Sequence, residues 1–499
     1  MKRIYLTLLN VILLLNIAQS QSASDALRYS SVGFGGTARS MGTGNSMGAF
    51  GGDFSTLGIN PAGLATYRKS EFTLSLGYFN ANTKSKLNLG TSPESDESAN
   101  KFAFNNLGLV LSSQPDNGSK WKTSNFAIGL NKTAEFDRTI YYQGNIPGSI
   151  VSRFANLANN GQLDDFGSRL AYETYALDTA RNAQGKLYYY TDFDAPGAGQ
   201  VPLNRTQSIQ SKGRVSELVI SFAGNYDDKL QLGATIGVPF AKYEVVNSYG
   251  EADNTNGIKF FNNLNFTERY TADGTGINLK IGAIYRPIQM LRVGLAIHTP
   301  TAYTFAETRN TEMTYNYTDS KATYNENAKS PEGVVDYKVN TPWKVILSTG
   351  VLLGKNGFLT AEAEYLDYSS ARVRFDTPDS IGAKRIQELK QYESEITNDV
   401  TAKYKSALNL RFGGEAVLDI FRLRAGLNLL GSALQDDSGF RAVYSLGFGI
   451  RGENTFFDVA FQTQKQSFTY QPFVSDLPQP SVSVNSWSNN FNATFGFRF

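Results

Sequence analysis

The chain has 499 residues, no cysteine, a single histidine and a formal net charge of +2. That composition excludes disulfides and thiolate metal sites, leaves histidine-based catalysis almost nothing to work with, and, without a long basic run, argues against nucleic-acid binding. Mean hydropathy is −0.30, yet 13% of residues are aromatic and 46 are glycine, which suits sheets that alternate apolar with small or polar side chains.

Lys2 and Arg3 form a positive start, Ile4 to Ile17 an apolar run, and Ala18-Gln19-Ser20 a small-x-small cleavage site. The run is too short to span a membrane comfortably, so residues 1–20 are assigned to a removable signal peptide. No cysteine follows that could carry a lipid, and no later apolar run has spanning length. For an exported membrane protein this leaves a barrel, because in lipid only helices and closed sheets satisfy their backbones.

Residues 21–69 are rich in glycine, serine and alanine and lack strand alternation. They contain Asn60-Pro61-Ala62. Proline fixes one backbone angle and asparagine bonds locally, so this tripeptide can set a rigid turn in a flexible run.

From residue 70 to the end, period-two alternation recurs. Strands are predicted at 70–80, 102–113, 123–136, 214–226, 229–249, 262–286, 290–309, 332–353, 357–372, 403–417, 420–431, 441–452, 454–470 and 485–499. That is about fourteen, an even number as single-chain bacterial barrels require. Every second connection is short, such as Asp227-Asp228, Leu418-Asp419 and Glu453. Those between are long and polar. A soluble sandwich has no reason to keep that alternation, whereas a barrel assembled from one side of a membrane does. In the last strand Phe491, Ala493, Phe495, Phe497 and Phe499 share one face and Asn490, Asn492, Thr494, Gly496 and Arg498 the other.

Two long connections carry helical spacing. Ile150, Phe154 and Leu157 precede Phe166, Leu170 and Leu177, and the 376–402 loop places Ile386, Leu389 and Ile396 on one side. Such faces either pack together and cap the barrel or form an apolar entry groove, for which Phe154, Leu157, Phe166 and Leu170 are the candidates.

Counting faces puts Lys280, Glu362, Glu364, Arg411, Glu415, Arg422, Arg424 and Asp458 in the lumen. Charges of both signs in a narrow barrel are expected to pair. Should a carboxylate be the cargo, Arg411, Arg422 and Arg424 on neighbouring strands, with Lys280, are the candidate anchor, since guanidinium binds carboxylate through two hydrogen bonds. His298 has no second histidine or cysteine and reads as a satisfied luminal side chain.

The stretch Gly51-Gly52-Asp53-Phe54 to Asn60-Pro61-Ala62-Gly63-Leu64, just before the first strand, resembles the FadL/TodX family of outer-membrane transporters. Further similarity lies in Asn340-Thr341-Pro342-Trp343-Lys344, Ala361-Glu362-Ala363-Glu364-Tyr365, Leu410 to Glu415 and Leu423-Arg424-Ala425-Gly426. The resemblance implies a monomeric, all-β, transmembrane antiparallel barrel of fourteen strands (70–499) in the outer membrane. It further implies that residues 21–69 form an N-terminal hatch in the lumen held by Asn60, Pro61 and Ala62, with short helices in the extracellular loops. It implies passive uptake of hydrophobic compounds, long-chain fatty acids or aromatic hydrocarbons, with no cofactor and no catalysis. Lateral escape into the membrane would use a kinked third strand, where Gly129 is the candidate. The terminal phenylalanine resembles the signal read by the barrel assembly machinery, and outer-membrane lipid surrounds such a barrel. The alternatives are a hemin-binding receptor, or a binding or secretion-system component similar to PorV.

Overall fold

Alternation of this kind buries one row of side chains and exposes the other, and in the computed structural model it closes a single antiparallel sheet on itself. The structure describes residues 23–30, 33, 35–115, 118–376, 382–472 and 480–499. The expected signal peptide lies outside them.

The barrel strands are β1 (Glu71–Leu87), β2 (Ser95–Ser113), β3 (Trp121–Glu135, prolonged by Arg138–Ile146), β4 (Leu203–Tyr226), β5 (Leu230–Ala252) and β6 (Phe261–Tyr285). They continue with β7 (Leu291–His298 and Ala302–Thr318), β8 (Gly333–Asn340 and Lys344–Leu352), β9 (Gly357–Asp367 and Arg372–Phe375) and β10 (Ser406–Leu418). β11 (Phe421–Gly431), β12 (Phe440–Arg451), β13 (Thr455–Tyr470) and β14 (Val482–Arg498) complete the circle. Closure is made by β14 on β1, in unbroken register from Glu71↔Arg498 to Leu87↔Val482. All fourteen expected strands are present, in a closed antiparallel barrel.

Three expected strands are interrupted, that at 357–372 by the short helical turn Tyr368–Ser370 and the other two at prolines. The 290–309 and 332–353 runs break at Thr299-Pro300-Thr301 and Thr341-Pro342-Trp343. Proline cannot donate to the ladder. Thr301 and Thr341 compensate: each backbone N–H bonds across the break, to the Thr341 hydroxyl and the Thr301 carbonyl.

The β4–β5 turn places Asp227 and Asp228 at φ 54° and 51°, the left-handed pair that a two-residue hairpin needs. At this short-turn end the strands carry a belt of outward apolar side chains. Phe222, Ile236, Ile277, Leu295, Leu347, Leu446 and Phe495 are all among the exposed large hydrophobics. A belt of this size in water would drive association; in a bilayer it faces lipid.

At the opposite, long-loop end, β4 to β7 rise well past the belt. Their inner face holds the Ile150–Asn159 helix and the short Ser168–Glu173 helix in one apolar cluster. The Ala383–Lys403 helix buries Leu389, Tyr392, Ile396 and Val400. The second predicted helix is shorter than its spacing suggested: Phe166 and Leu177 lie outside it.

Candidate functional site

The N-terminal segment runs inside the barrel, and what it touches defines the site. Residues 35–67 are largely buried, and the wall makes room for them with glycines. Gly233 and Gly282 face the Asn60-Pro61 turn, Gly413 and Gly426 face Thr43 and Gly44, and Gly108 and Gly129 face the Phe54 ring. A methyl group at any of these would overlap the segment.

Asn60 caps the Pro61–Thr66 turn of helix, its Oδ1 accepting from Ala62 N at 3.1 Å. Its Nδ2 donates to Gly48 O at 2.8 Å and to Ala283 O on β6 at 3.2 Å. All three residues of the predicted tripeptide are buried. His298 donates through Nε2 to Ile59 O at 2.8 Å. The ring is thereby a wall-to-segment tie, the satisfied luminal side chain that the sequence led one to expect.

Ion pairs fix the other side. Arg39 meets Glu415 at 3.0 Å, and Gly48 N donates to Glu362 at 3.2 Å. Burial works against the Arg39 charge, but the Glu415 carboxylate more than reverses this and holds the guanidinium pKa above its ordinary value.

Of the predicted anchor residues, Arg411 bonds Glu362 at 2.6 Å and Glu364 at 2.9 Å. Arg424 bonds Glu415 at 2.6 Å and Asp458 at 2.7 Å. Lys280 bonds Glu217 at 2.6 Å. Arg422 sits near the β10–β11 turn and donates to the Asp419 and Phe421 carbonyls. The structure does not gather the three arginines. Arg411 stands opposite Asn428, Arg424 opposite Glu415 and Arg422 opposite Val417, so they occupy three heights of the wall. Only Arg411 reaches the internal cavity.

That cavity has a volume of about 410 Å³, within the roughly 300–1,000 Å³ of small-molecule sites. Its floor is the N-terminal segment at Gly36, Asn45 and Ile59, and Leu27 and Arg28 of the helical residues 23–30 also line it. Leu430, Val443 and Ile346 supply apolar wall, and Gln462, Gln464 and Gln466 a polar strip. Arg138 and Arg441 also line it, and neither has a carboxylate within ion-pair distance among the described residues. Arg138 donates to Gln466 at 3.0 Å, while Nε of Arg441 is buried without a partner among those residues. Sequence reading missed both. Arg138 fell in what read as a loop, although it belongs to the prolongation of β3. Arg441 shares the face of Val443 and Ser445, so counting alternation one step further would have found it.

One wall of the cavity is the segment Asn131 to Phe136. Here β2–β3 pairing stops at Asn106↔Asn131, and β3 slips register against β4 between Lys132 and Ala134. The break is therefore not at Gly129, which pairs regularly with Gly108 and Val219 and is small because Phe54 packs on it. The opening is filled by a buried Lys132–Glu135 pair at 3.2 Å and by Lys101, which reaches Asp137 at 2.9 Å. From inside, Gly33 N donates to Thr133 O at 2.8 Å. On the outside, a groove of about 830 Å³ borders Lys101 and Leu130.

The predicted loop residues are mostly not open. Phe154 and Leu170 are buried against β5, β6 and β7, Phe166 is buried beside Arg309 on β7 and Gly333 on β8, and Leu157 is half-buried. A small cavity of about 60 Å³ touches Phe154, Leu157 and Phe166.

No family model matches the chain, and no curated protein does. Solved structures do. A FadL homologue from Pseudomonas aeruginosa shares 16% identity at a TM-score of 0.56, covering 94% of this chain and 99% of that one. The Pseudomonas putida toluene transporter TodX shares 12% at 0.51, covering 94% and 99%. The Ralstonia pickettii toluene transporter TbuX shares 15% at 0.50, covering 94% and 98%. The chain has the fold of these proteins over nearly its whole length.

Proposed function

We propose that this protein is a monomeric outer-membrane channel for passive uptake of hydrophobic compounds, plugged by a hatch formed from residues 21–69. The observation that carries the reading is the internal cavity. It lies between the hatch and a stretch of wall, Lys132 to Glu135, where pairing with β2 has ended and the register against β4 slips, with a groove on the far side. A barrier of charged surface sugars blocks greasy molecules that would otherwise cross a bilayer freely. An apolar passage through that layer needs no energy source when the gradient runs inward.

The cargo we favour is an amphiphile with a carboxylate, a long-chain fatty acid rather than a plain aromatic hydrocarbon. Arg138 and Arg441 are cations without acidic partners among the described residues, and they repel one another. An entering carboxylate relieves both through charge-assisted bonds, while Leu430 and Val443 receive the chain. The loop residues Phe154, Leu157, Phe166 and Leu170 belong to the entrance. Catalysis is not part of the proposal.

The test is uptake by Gram-negative cells lacking their own transporters of this kind, given labelled oleate or labelled toluene. Expression should raise oleate entry several-fold and toluene entry less. Equal, unraised entry of both would reject the channel and favour a binding or secretion role.

A further inference from the structure

At the short-turn end, beneath the hatch, the lumen holds a group of side chains that the cavity does not use. β6 and β7 meet there in the turn at 287–290. Gly282 and Ile284 on β6, and Gly294 and Ala296 on β7, are buried on the luminal face. Arg286 and Arg292 continue those two rows toward the turn. The last register pair is Val293↔Tyr285, and one step on Arg292 stands opposite Arg286. Like charges directly opposite on one face destabilise a sheet pair.

No acid pairs with either one. Among the described residues neither guanidinium has a carboxylate within 4.0 Å, and the charged groups acting on Arg292 are Arg286 and Arg39, both cations. Arg39 is already paired with Glu415. Asp228, on the β4–β5 turn, acts on Arg286 from further off. It is engaged by Arg68 at 3.4 Å and by Asn225 Nδ2 at 2.8 Å. Nε of Arg286 and Nε of Arg292 are both buried without a partner among the described residues. Arg292 donates once to Phe50 O, at 3.2 Å, and lies 4.9 Å from the centre of the Phe50 ring.

A third member comes from β5. Gln231 is luminal, opposite Ile284 and so diagonal to Arg286, within reach of a long side chain. It is fully buried, and both of its amide atoms lack a partner among the described residues. The large majority of buried amides are bonded. One left unbonded beside two unpaired cations marks a place for an anionic ligand. The next luminal residue of β5 is Gly233, on which Pro61 packs, as Asn60 packs on Gly282 and Gly294. The group therefore lies one step below the Asn60-Pro61-Ala62 turn.

We infer that Arg286, Arg292 and Gln231 form a second carboxylate site, where an acyl carboxylate is held at the short-turn mouth once it has passed the hatch turn. The two guanidinium groups take its oxygens through charge-assisted bonds, which relieves the like-charge pair, and Gln231 Nε2 donates a further bond. Ile284 and the Phe50–Phe358 pair, with ring centres 4.3 Å apart, give the chain an apolar side. Such a site offers a way out along the barrel axis in addition to the gap at Lys132. Its place in transport rests on the proposed function; its affinity for a carboxylate does not.

The full-length barrel in neutral detergent, with Gln289→Cys on the exposed turn carrying an environment-sensitive fluorophore, reports on the mouth. The probes are octanoate, octanol, acetate and inorganic phosphate. Octanoate should change the fluorescence at about one-tenth the concentration of acetate or phosphate or less, the worth of an added apolar contact, and octanol should not displace it. Arg286→Gln/Arg292→Gln should weaken octanoate about ten-fold or more. Lys355→Gln, which removes an exposed cation on the β8–β9 turn, should leave it unchanged. Folding of each is checked by heat-modifiable migration, and the double variant, relieved of a repulsion, should unfold at no lower temperature than wild type. Equal responses to octanol and octanoate overturn the carboxylate site. Equal responses to octanoate and to acetate or phosphate overturn the acyl ligand in favour of any small anion. Unchanged octanoate affinity in the double variant overturns the residues assigned. In cells, the double variant should lower oleate uptake several-fold, and uptake at the wild-type rate overturns the exit role. Failure of uptake in the wild type would strike the transport reading and leave the octanoate result standing.

Discussion

Gly33 donates its backbone N–H to the Thr133 carbonyl at 2.8 Å, and this bond joins the N-terminal segment to the part of the wall where pairing with β2 has ended. Two elements that sequence reading treats separately, a glycine-rich leader and a third strand, thus form one structure. Under the proposed function, parting the two would open the cavity toward the gap.

Substitution of Asn60 should loosen the hatch and leave the barrel intact. Asn60→Ala removes two donated bonds and one accepted bond at a fully buried position. At about 1 kcal/mol for each bond, plus the cost of stranding buried partners, local anchoring falls by roughly 3 kcal/mol. Hydrogen exchange over residues 35–66 should accelerate about 100-fold while the exchange of β10 to β14 stays put. Pro61→Gly should act in the same direction through added freedom of the turn. Unchanged exchange in both would remove the tripeptide from any anchoring role.

Gly35 lies against the Lys132 carbonyl so closely that a Cβ would overlap the oxygen. Gly35→Ala should therefore push the segment off β3. Oleate entry should rise, and the variant should admit small polar dyes that the wild type excludes. A variant with wild-type dye exclusion would show that the contact can yield without opening a path.

Arg138→Gln and Arg441→Gln should each weaken oleate binding about ten-fold or more, the worth of one bond to a charged group. Toluene entry should be unaffected. Equal losses for both compounds would mean that the arginines shape the cavity and do not read a carboxylate.

Arg424 offers the contrasting case. Its side chain is fully buried between Glu415 and Asp458, and removing one partner of such a cluster costs about 3–5 kcal/mol. Arg424→Met should lower the temperature at which the folded barrel unfolds on a gel while oleate affinity in the folded fraction stays near wild type. A selective loss of affinity at normal stability would restore Arg424 as a ligand anchor.

The strand count and the alternation of short and long connections were legible because each depends on local chemistry: period-two burial, and turn residues such as Asp227-Asp228. Luminal pairing of Lys280, Arg411 and Arg424 followed from the cost of unpaired buried charge. Pro300 and Pro342 were in plain view and marked the breaks in β7 and β8, yet the flanking alternation concealed them. The register slip at Lys132-Thr133-Ala134 had no such marker. It holds no glycine or proline, and what lies against it from inside, the segment at Gly33 and Gly35, is a hundred residues away in the chain. Arg138 was hidden for a related reason, since the ladder of the prolongation of β3 runs along the upper half of β4, far from Arg138 in the chain. The apolar spacing of Phe154, Phe166 and Leu170 showed that a face needed covering but not that β5 to β7 would rise far enough to cover it.

The most direct measurement exploits a chain with no cysteine of its own. A Cβ placed on Gly33 lies 3.7 Å from the Ala134 Cβ, close to the mean separation of about 3.8 Å in disulfides. The Gly33→Cys/Ala134→Cys variant can thus be locked by oxidation and released by reductant. With the lock closed, oleate uptake should fall to the level of cells without the protein, and dithiothreitol should restore it, each single variant being indifferent to both. Full uptake through a barrel whose cross-link is complete would contradict a hatch that must part from the third strand.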